Sequence, residues 1–386
     1  MLKKFVFYFL ILFSLETAAQ IDSINQPDCS YQISLLTCSP GEELYTTFGH
    51  SAIRILNSQT GSDLVFNYGT FDFEDPDFYQ KFIEGKLLYF VSVDSMRNFL
   101  WEYQYYQRGI TEQILNLTCE EKEKIVWALF ENAKDENKFY RYNFTFDNCT
   151  TRIRDLLEKN STTPIQTKNI LPTSTTTFRN LLHESLNNGN RDWSKLGIDI
   201  LLGSSVDKKI SNREAMFLPD YLLFAVDSSS LKNEPLVKEI NSLLPALYIT
   251  KESVSPFLVF SALLIIIFAL SFFKSFRVFF IFFDCLLFFT CGILGVLLVF
   301  LWAQNEQAMF QNNFNLLWAI PTHIIAPIFI IIKKEKLKNY FKFSFFFTLI
   351  ILLVWAFLPQ QMNPALLPLV GIVFVRSYKL LKPRIV

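Results

Sequence analysis

Five apolar segments crowd the last third of this chain, and the charge of the connections between them alternates. The segments run approximately Pro256–Phe273, Val278–Trp302, Leu316–Ile332, Phe343–Leu358 and Ala365–Leu381, each of spanning or near-spanning length. Lys274 and Arg277 fill the first connection, and the second, Ala303 to Asn315, has no basic residue. The third carries Lys333, Lys334, Lys336, Lys338 and Lys342, the fourth, Pro359 to Pro364, again has none, and the tail carries Arg376, Lys379, Lys382 and Arg384. All these cations fall on one side, which the positive-inside rule makes the cytoplasm. The residues before the first segment then lie outside it. Composition divides the chain at the same place. From Phe257 onward there are 11 basic and 3 acidic residues; taken from totals of 36 and 36, that leaves 25 basic and 33 acidic before it. A single soluble domain and a disordered chain are excluded, and a mildly acidic soluble part does not fit a nucleic-acid binder.

The N-terminus predicts the same orientation. Met1-Leu2-Lys3-Lys4 precedes an apolar run from Phe5 to Leu15, followed by Thr17-Ala18-Ala19-Gln20. The run is too short to span a bilayer, and the pattern reads as a secretory signal peptide over 1–19, cut after Ala19. Three further units follow: a first exported domain over 20–160, a mainly helical extension over 161–252 and five transmembrane helices over 253–386. An exported domain can hold disulfides, so one bridge is expected among Cys29, Cys38 and Cys119, the pairing left open. Cys285 and Cys291 lie in the second apolar segment and read as apolar fillers.

Within the exported part, Gln32 to Cys38 has a weak strand pattern. Tyr45 to Leu56 reads as a turn and then a strand, and Asp63 to Gly69 as a second strand; the two flank a turn rich in Asn, Ser and Gly and form a hairpin. Thr118 with Glu121 three residues on predicts a capped helix start. Asp147-Asn148-Cys149 opens another helix that runs through Leu157. Residues 160 to 177 read as a loop, and 178 to 250 as mainly helical with breaks at Pro219, Pro235 and Pro245.

Chemistry concentrates on two positions. Cys149 sits just inside a helix start, where unpaired N–H groups and the positive end of the dipole lower a thiol pKa. Those N–H groups also suit the oxyanion of a tetrahedral intermediate. His50, on a nearby strand, is placed to take the thiol proton, and Asn67 on the other arm of the hairpin to orient the imidazole. The bland alternative is a buried free Cys and a structural His. Tyr68 and Tyr142 are candidate donors to a phosphate or oxyanion; Arg152, with Arg154 and Asp155, suits ion pairing or positioning. His323 falls about seven residues into the third apolar segment, where a polar ring is a functional candidate, unless Trp318 and Pro321 mark an interface belt and a kink. His183 reads as a surface side chain. No metal-ligand spacing or phosphate-cradling Gly loop occurs, so no cofactor is expected.

The order of His strand, partner strand and Asn-Cys helix start resembles the permuted papain-like fold of the NlpC/P60 superfamily. The lecithin retinol acyltransferase branch is similar in having a His-x-Ala-Ile-type strand, here His50-Ser51-Ala52-Ile53, and an Asn-Cys helix start, here Asn148-Cys149-Thr150-Thr151. That branch has a second His where this chain has Asn67. The whole architecture resembles more closely the Lnb family of lipoprotein N-acyltransferases, through Phe48–Ile53, Phe66–Phe73, Asn143–Leu156, Met216–Leu222 and Asn315–His323. The resemblance implies an α+β, permuted papain-like exported domain followed by an all-α membrane domain in the bacterial inner membrane. It also implies transfer of an acyl chain from a phospholipid, through a Cys149 thioester, to the N-terminal amine of a diacylglyceryl-Cys lipoprotein. A membrane-anchored cysteine peptidase or amidase acting on the cell wall, and a non-catalytic envelope-binding module, are the competing readings.

Overall fold

A computed structural model describes residues 30–247, 254–332 and 338–381. The expected signal peptide and Cys29 lie outside the described residues. Seven antiparallel strands form the main sheet: β1 (Tyr31–Cys38), β2 (His50–Asn57), β3 (Asp63–Thr70), β4 (Leu88–Ser95), β5 (Ile110–Leu115), β6 (Phe139–Arg141) and β10 (Val237–Leu244). Their order is β10-β5-β1-β2-β3-β4-β6. Three short strands, β7 (Gln166–Thr167), β8 (Ser229–Leu231) and β9 (Glu234–Pro235), make a separate small sheet. The exported part also holds helices α1 (Phe78–Glu84), α2 (Met96–Tyr105), α3 (Cys119–Asn132), α4 (Cys149–Asn160), α5 (Phe178–Asn188), α6 (Asp192–Leu201), α7 (Asn212–Ala215) and α8 (Pro219–Ser228).

β1 explains its own weak alternation. Ile33 and Leu35 point to one face, into a core with Ile125 and Leu129 of α3 and Ile153 and Leu157 of α4. Leu36 and Cys38 point to the other face, against Met96, Phe99 and Tyr103 of α2. A strand covered on both faces buries successive residues, so the period-2 signal fades. β10 is a departure from expectation. Its segment falls in the stretch read as mainly helical, yet it pairs with β5 and closes one edge of the sheet. Its residues are half-exposed, and pairing with β5 stabilises them as a strand despite weak patterning.

The membrane part consists of α9 (Pro256–Leu270), α10 (Arg277–Gln304), α11 (Ala326–Ile332), α12 (Lys338–Val354) and α13 (Leu366–Leu381). Two described helical runs, Lys274–Gln304 and Lys338–Phe357, are long and apolar enough to cross a membrane. The third apolar segment is broken rather than continuous: Ala308–Leu317 and Pro321–Ile332 meet at a bend of 54°. Pro321 starts the second piece, as a kinking residue should, but Trp318 is buried, which removes the interface-belt reading. α10 approaches this broken segment closely because of two small residues. A Cβ on Gly292 would lie 2.1 Å from Ile324 N, and one on Gly295 2.1 Å from Ala319 O. Arg376, grouped above with the cytoplasmic tail cations, is instead inside the bundle. Its Nε and Nη2 donate to the Asp284 carboxylate at 2.6 and 2.9 Å, and its guanidinium lies 3.7 Å from the Phe280 ring centroid.

A buried polar seam joins the two parts. Asn313 Nδ2 donates to the carbonyls of Ile200 and Leu201, and Asn315 Nδ2 to that of Asp199. Asn363 Nδ2 donates to the Asp199 carboxylate at 2.8 Å, which Arg179 Nη1 also reaches at 2.7 Å. His183, read as a surface side chain, shares that carboxylate through Nε2 at 2.8 Å. Because these groups are buried, each unmade bond would leave a desolvated polar atom, so the seam holds the exported domain in a defined pose on the membrane domain.

Candidate active site

α4 begins where three local features converge. Asn148 is its N-cap: Oδ1 accepts from Thr150 N–H and Thr151 N–H, while Nδ2 donates to the carbonyls of Phe144 and Phe217. The cap is therefore saturated, and Asn148 acts on position 149 through the backbone. With those two N–H groups taken, Cys149's own N–H makes no hydrogen bond among the described residues. α4 packs on β2 and β3, which brings Cys149 to the hairpin.

His50 is the first residue of β2, directly after Gly49. Gly49 has φ +80°, and a Cβ there would lie 2.7 Å from the Cys38 carbonyl, so only glycine lets the chain enter the strand at this angle. On β3 the register with β4 breaks between Asn67 and Thr70, and Gly69 within the break has φ +90°. A Cβ on Gly69 would lie 3.5 Å from Cys149 Cβ and 4.0 Å from Tyr142. The bulge thus turns Asn67 toward His50 and leaves the space beside the thiol clear.

The three side chains form a relay. His50 Nε2 is hydrogen-bonded to Asn67 Oδ1, and the imidazole is also hydrogen-bonded to the Cys149 thiol. Nε2 is occupied by Asn67, so Nδ1 is the ring nitrogen left to face sulfur. Thr150 Oγ1 lies 3.6 Å from Cys149 Sγ. Burial pushes the Cys149 thiol up, but the His50 charge and hydrogen bond, the Ser51 N–H and Thr150 outweigh it and leave the thiol at about 7. Burial lowers His50, and the Cys149 charge with the Cys149 and Asn67 hydrogen bonds more than reverses it, so His50 is raised. The pair favours thiolate and imidazolium together. Cys38 is the contrast: also buried, and paired with His50 in register on the neighbouring strand, it is pushed by burial up to about 12. Cys119 is disulfide-bonded and Cys38 is free, so Cys38 is the spare thiol.

The remaining candidates divide. Tyr68 is in the core, its hydroxyl accepting from Asn132 Nδ2 at 2.8 Å. Tyr142 stacks on Tyr89 at 4.3 Å between ring centroids and lies across Gly69 from the thiol. Arg152 pairs with Asp147 at 2.6 and 2.9 Å and covers the Tyr140 ring at 3.5 Å, which fixes the loop preceding Cys149. His323 is buried in the membrane domain, with Nδ1 bonded to Tyr340 at 2.6 Å and Nε2 unbonded; no hydrogen bond links it to the Cys149 relay among the described residues. Gly49 and Gly69 lie inside the matched stretches Phe48–Ile53 and Phe66–Phe73, but their backbone roles beside His50 and Asn67 were not read from the sequence.

Residues 20–184 match a family model described as the Lnb N-terminal periplasmic domain, and residues 249–383 match one described as the Lnb transmembrane domain. The chain belongs to the Lnb family. It is accordingly a membrane protein with a periplasmic domain, built as a mixed α/β sheet domain followed by a helical membrane domain. No curated protein and no solved structure matches it.

The pH dependence of thiol reactivity follows from the relay. In the wild type, alkylation of Cys149 by iodoacetamide should rise through a midpoint near pH 7, below the value of about 8.5 for a free thiol. In His50→Ala the lowering contributions of the imidazole disappear while burial stays, so the midpoint should climb above the free-thiol value. Mass spectrometry of the Cys149 peptide against pH reads both midpoints, with Cys38 unlabelled as the internal control. An unchanged midpoint in the variant would show that His50 does not activate the thiol.

Proposed function

We propose that this Lnb-family chain is a lipoprotein N-acyltransferase, with Cys149 as nucleophile, His50 as acid–base and Asn67 as the orienting group. The observation that carries the reading is a buried thiol held near 7 by His50, in a domain fastened to the outer end of a membrane bundle. The Cys149 thiolate attacks the ester carbonyl of a phospholipid. The C–S bond forms, the ester C–O bond breaks, and imidazolium gives its proton to the departing lysophospholipid oxygen. The Cys149 N–H stabilises the oxyanion. The free α-amine of a diacylglyceryl-Cys lipoprotein then attacks the thioester; His50 takes the amine proton, the C–S bond breaks and the thiolate returns. Tyr142 lines the approach, and Asn148 and Arg152 hold the helix start. Both substrates are confined to the bilayer, which accounts for the attachment and counts against a cell-wall hydrolase. Mass spectrometry of lipoprotein N-termini in cells with and without the protein tests the reading: a third acyl chain on the α-amine should appear only with it.

The same reading places the chain in the inner membrane as five spans with a cytoplasmic C-terminus. α9 and α13 are short; they pack on each other, and α13 also packs on α12. A reporter fused after Asn313 should be active outside the cytoplasm and one after Lys338 inside it. Reversal at either site would overturn the topology.

A further inference from the structure

A cluster of exposed aromatic side chains lies on α1 and the loop before it. Tyr79 is 78% exposed, Phe73 63% and Phe82 56%. Their position is fixed by the membrane domain. Asn305, the residue after α10, donates from Nδ2 to the Ile83 carbonyl, and Glu306 N–H donates to the Glu84 carbonyl at 3.2 Å. Gly85, at φ +71°, permits this contact: a Cβ there would lie 2.7 Å from Asn305 Oδ1. α1 is therefore tied to the outer end of a helix long and apolar enough to cross a membrane. Exposed rings at that level match the aromatic belt at a bilayer surface. Lys81 is bonded to Asp75 and Lys86 to Glu84, so the surface offers apolar area rather than unpaired cations.

From this cluster a continuous file of rings leads inward. Phe73 and Phe71 centroids are 4.7 Å apart, Phe71 and Tyr89 5.1 Å, and Tyr89 and Tyr142 4.3 Å. The file ends at Gly69, where a Cβ would lie 4.0 Å from the Tyr142 ring and 3.5 Å from Cys149 Cβ. We propose that α1 and the Phe71–Phe73 loop form an interfacial foot that inserts into the outer leaflet and guides an acyl chain of a phospholipid to Cys149. The guiding role rests on the acyl-transfer reading above; the insertion does not.

Full-length protein in phosphatidylcholine nanodiscs tests both parts. A spin label at position 82, introduced as Phe82→Cys in a Cys149→Ala background, should collide readily with oxygen. It should be several-fold less accessible to an aqueous nickel chelate than a label introduced as Trp127→Cys on α3. Equal nickel accessibility at 82 and 127 would overturn insertion, including the case in which another protein covers the face in cells. For guiding, Phe82→Asp should slow acylation of Cys149 from the nanodisc phospholipid about tenfold or more, while Phe82→Leu keeps it. Iodoacetamide should alkylate Cys149 alike in all three proteins. Wild-type acylation rates in Phe82→Asp would overturn guiding. A wild type that never acquires an acyl group would instead sink the acyl-transfer reading and leave the spin-label result standing.

Discussion

Cells whose only copy of the protein carries Cys149→Ala are expected to make lipoproteins with a free α-amine and two acyl chains. The variant should still fold and insert, because the cap and the polar seam do not involve the thiol and alanine removes only the sulfur from the core around α4. Cys149→Ser should be nearly as inactive. A hydroxyl is far less acidic than a thiol, and the contributions that bring sulfur to about 7 cannot bring an alcohol into that range. Mass spectrometry of lipoprotein N-termini, with immunoblotting of membranes for protein level, reads the outcome.

His50→Ala should be comparably severe, because the imidazole serves each half of the reaction. Positioned proton transfer contributes roughly 10²–10⁴-fold. Asn67→Ala should cost less. It removes the partner of Nε2 and lets the ring rotate, but leaves Nδ1 able to reach the thiol in a fraction of orientations. The two losses also differ in pH dependence. His50→Ala should move the rate profile to higher pH as the thiol loses its lowering partner, whereas Asn67→Ala should reduce the plateau more than the midpoint. Rates of acyl transfer to a diacylglyceryl peptide across pH 5 to 10 separate these effects. Equal activity of His50→Ala and wild type would remove the imidazole from the mechanism.

The parts of the site that were legible in the sequence are those built by local chemistry. A turn rich in Asn and Gly makes a hairpin from its own residues, and Asn148 caps α4 with its own side chain. The His50, Asn67 and Cys149 positions follow from those two short motifs. What was hidden depends on distant partners. β10 is a strand because β5 offers it an edge, and its own half-exposed residues carry no strong period. His183 is half-buried because it shares Asp199 with Arg179 and with Asn363, which lies 164 positions from Asp199 in the chain. Arg376 looks like a cytoplasmic tail cation until Asp284, ninety-two positions earlier, is placed beside it. The break in the third apolar segment was signalled by Pro321, but the close approach of α10 to it at Gly292 and Gly295 depends on a partner distant in the chain.

The central claim is that the acyl group passes through Cys149. Membranes holding the wild-type protein should be incubated with phospholipid carrying an isotopically labelled acyl chain and no lipoprotein acceptor. The Cys149 peptide should gain the mass of one labelled acyl group, and neutral hydroxylamine should release it, as a thioester requires. Labelled acyl groups on lipoprotein amines in a Cys149→Ala strain, or an adduct confined to another residue, would contradict the account.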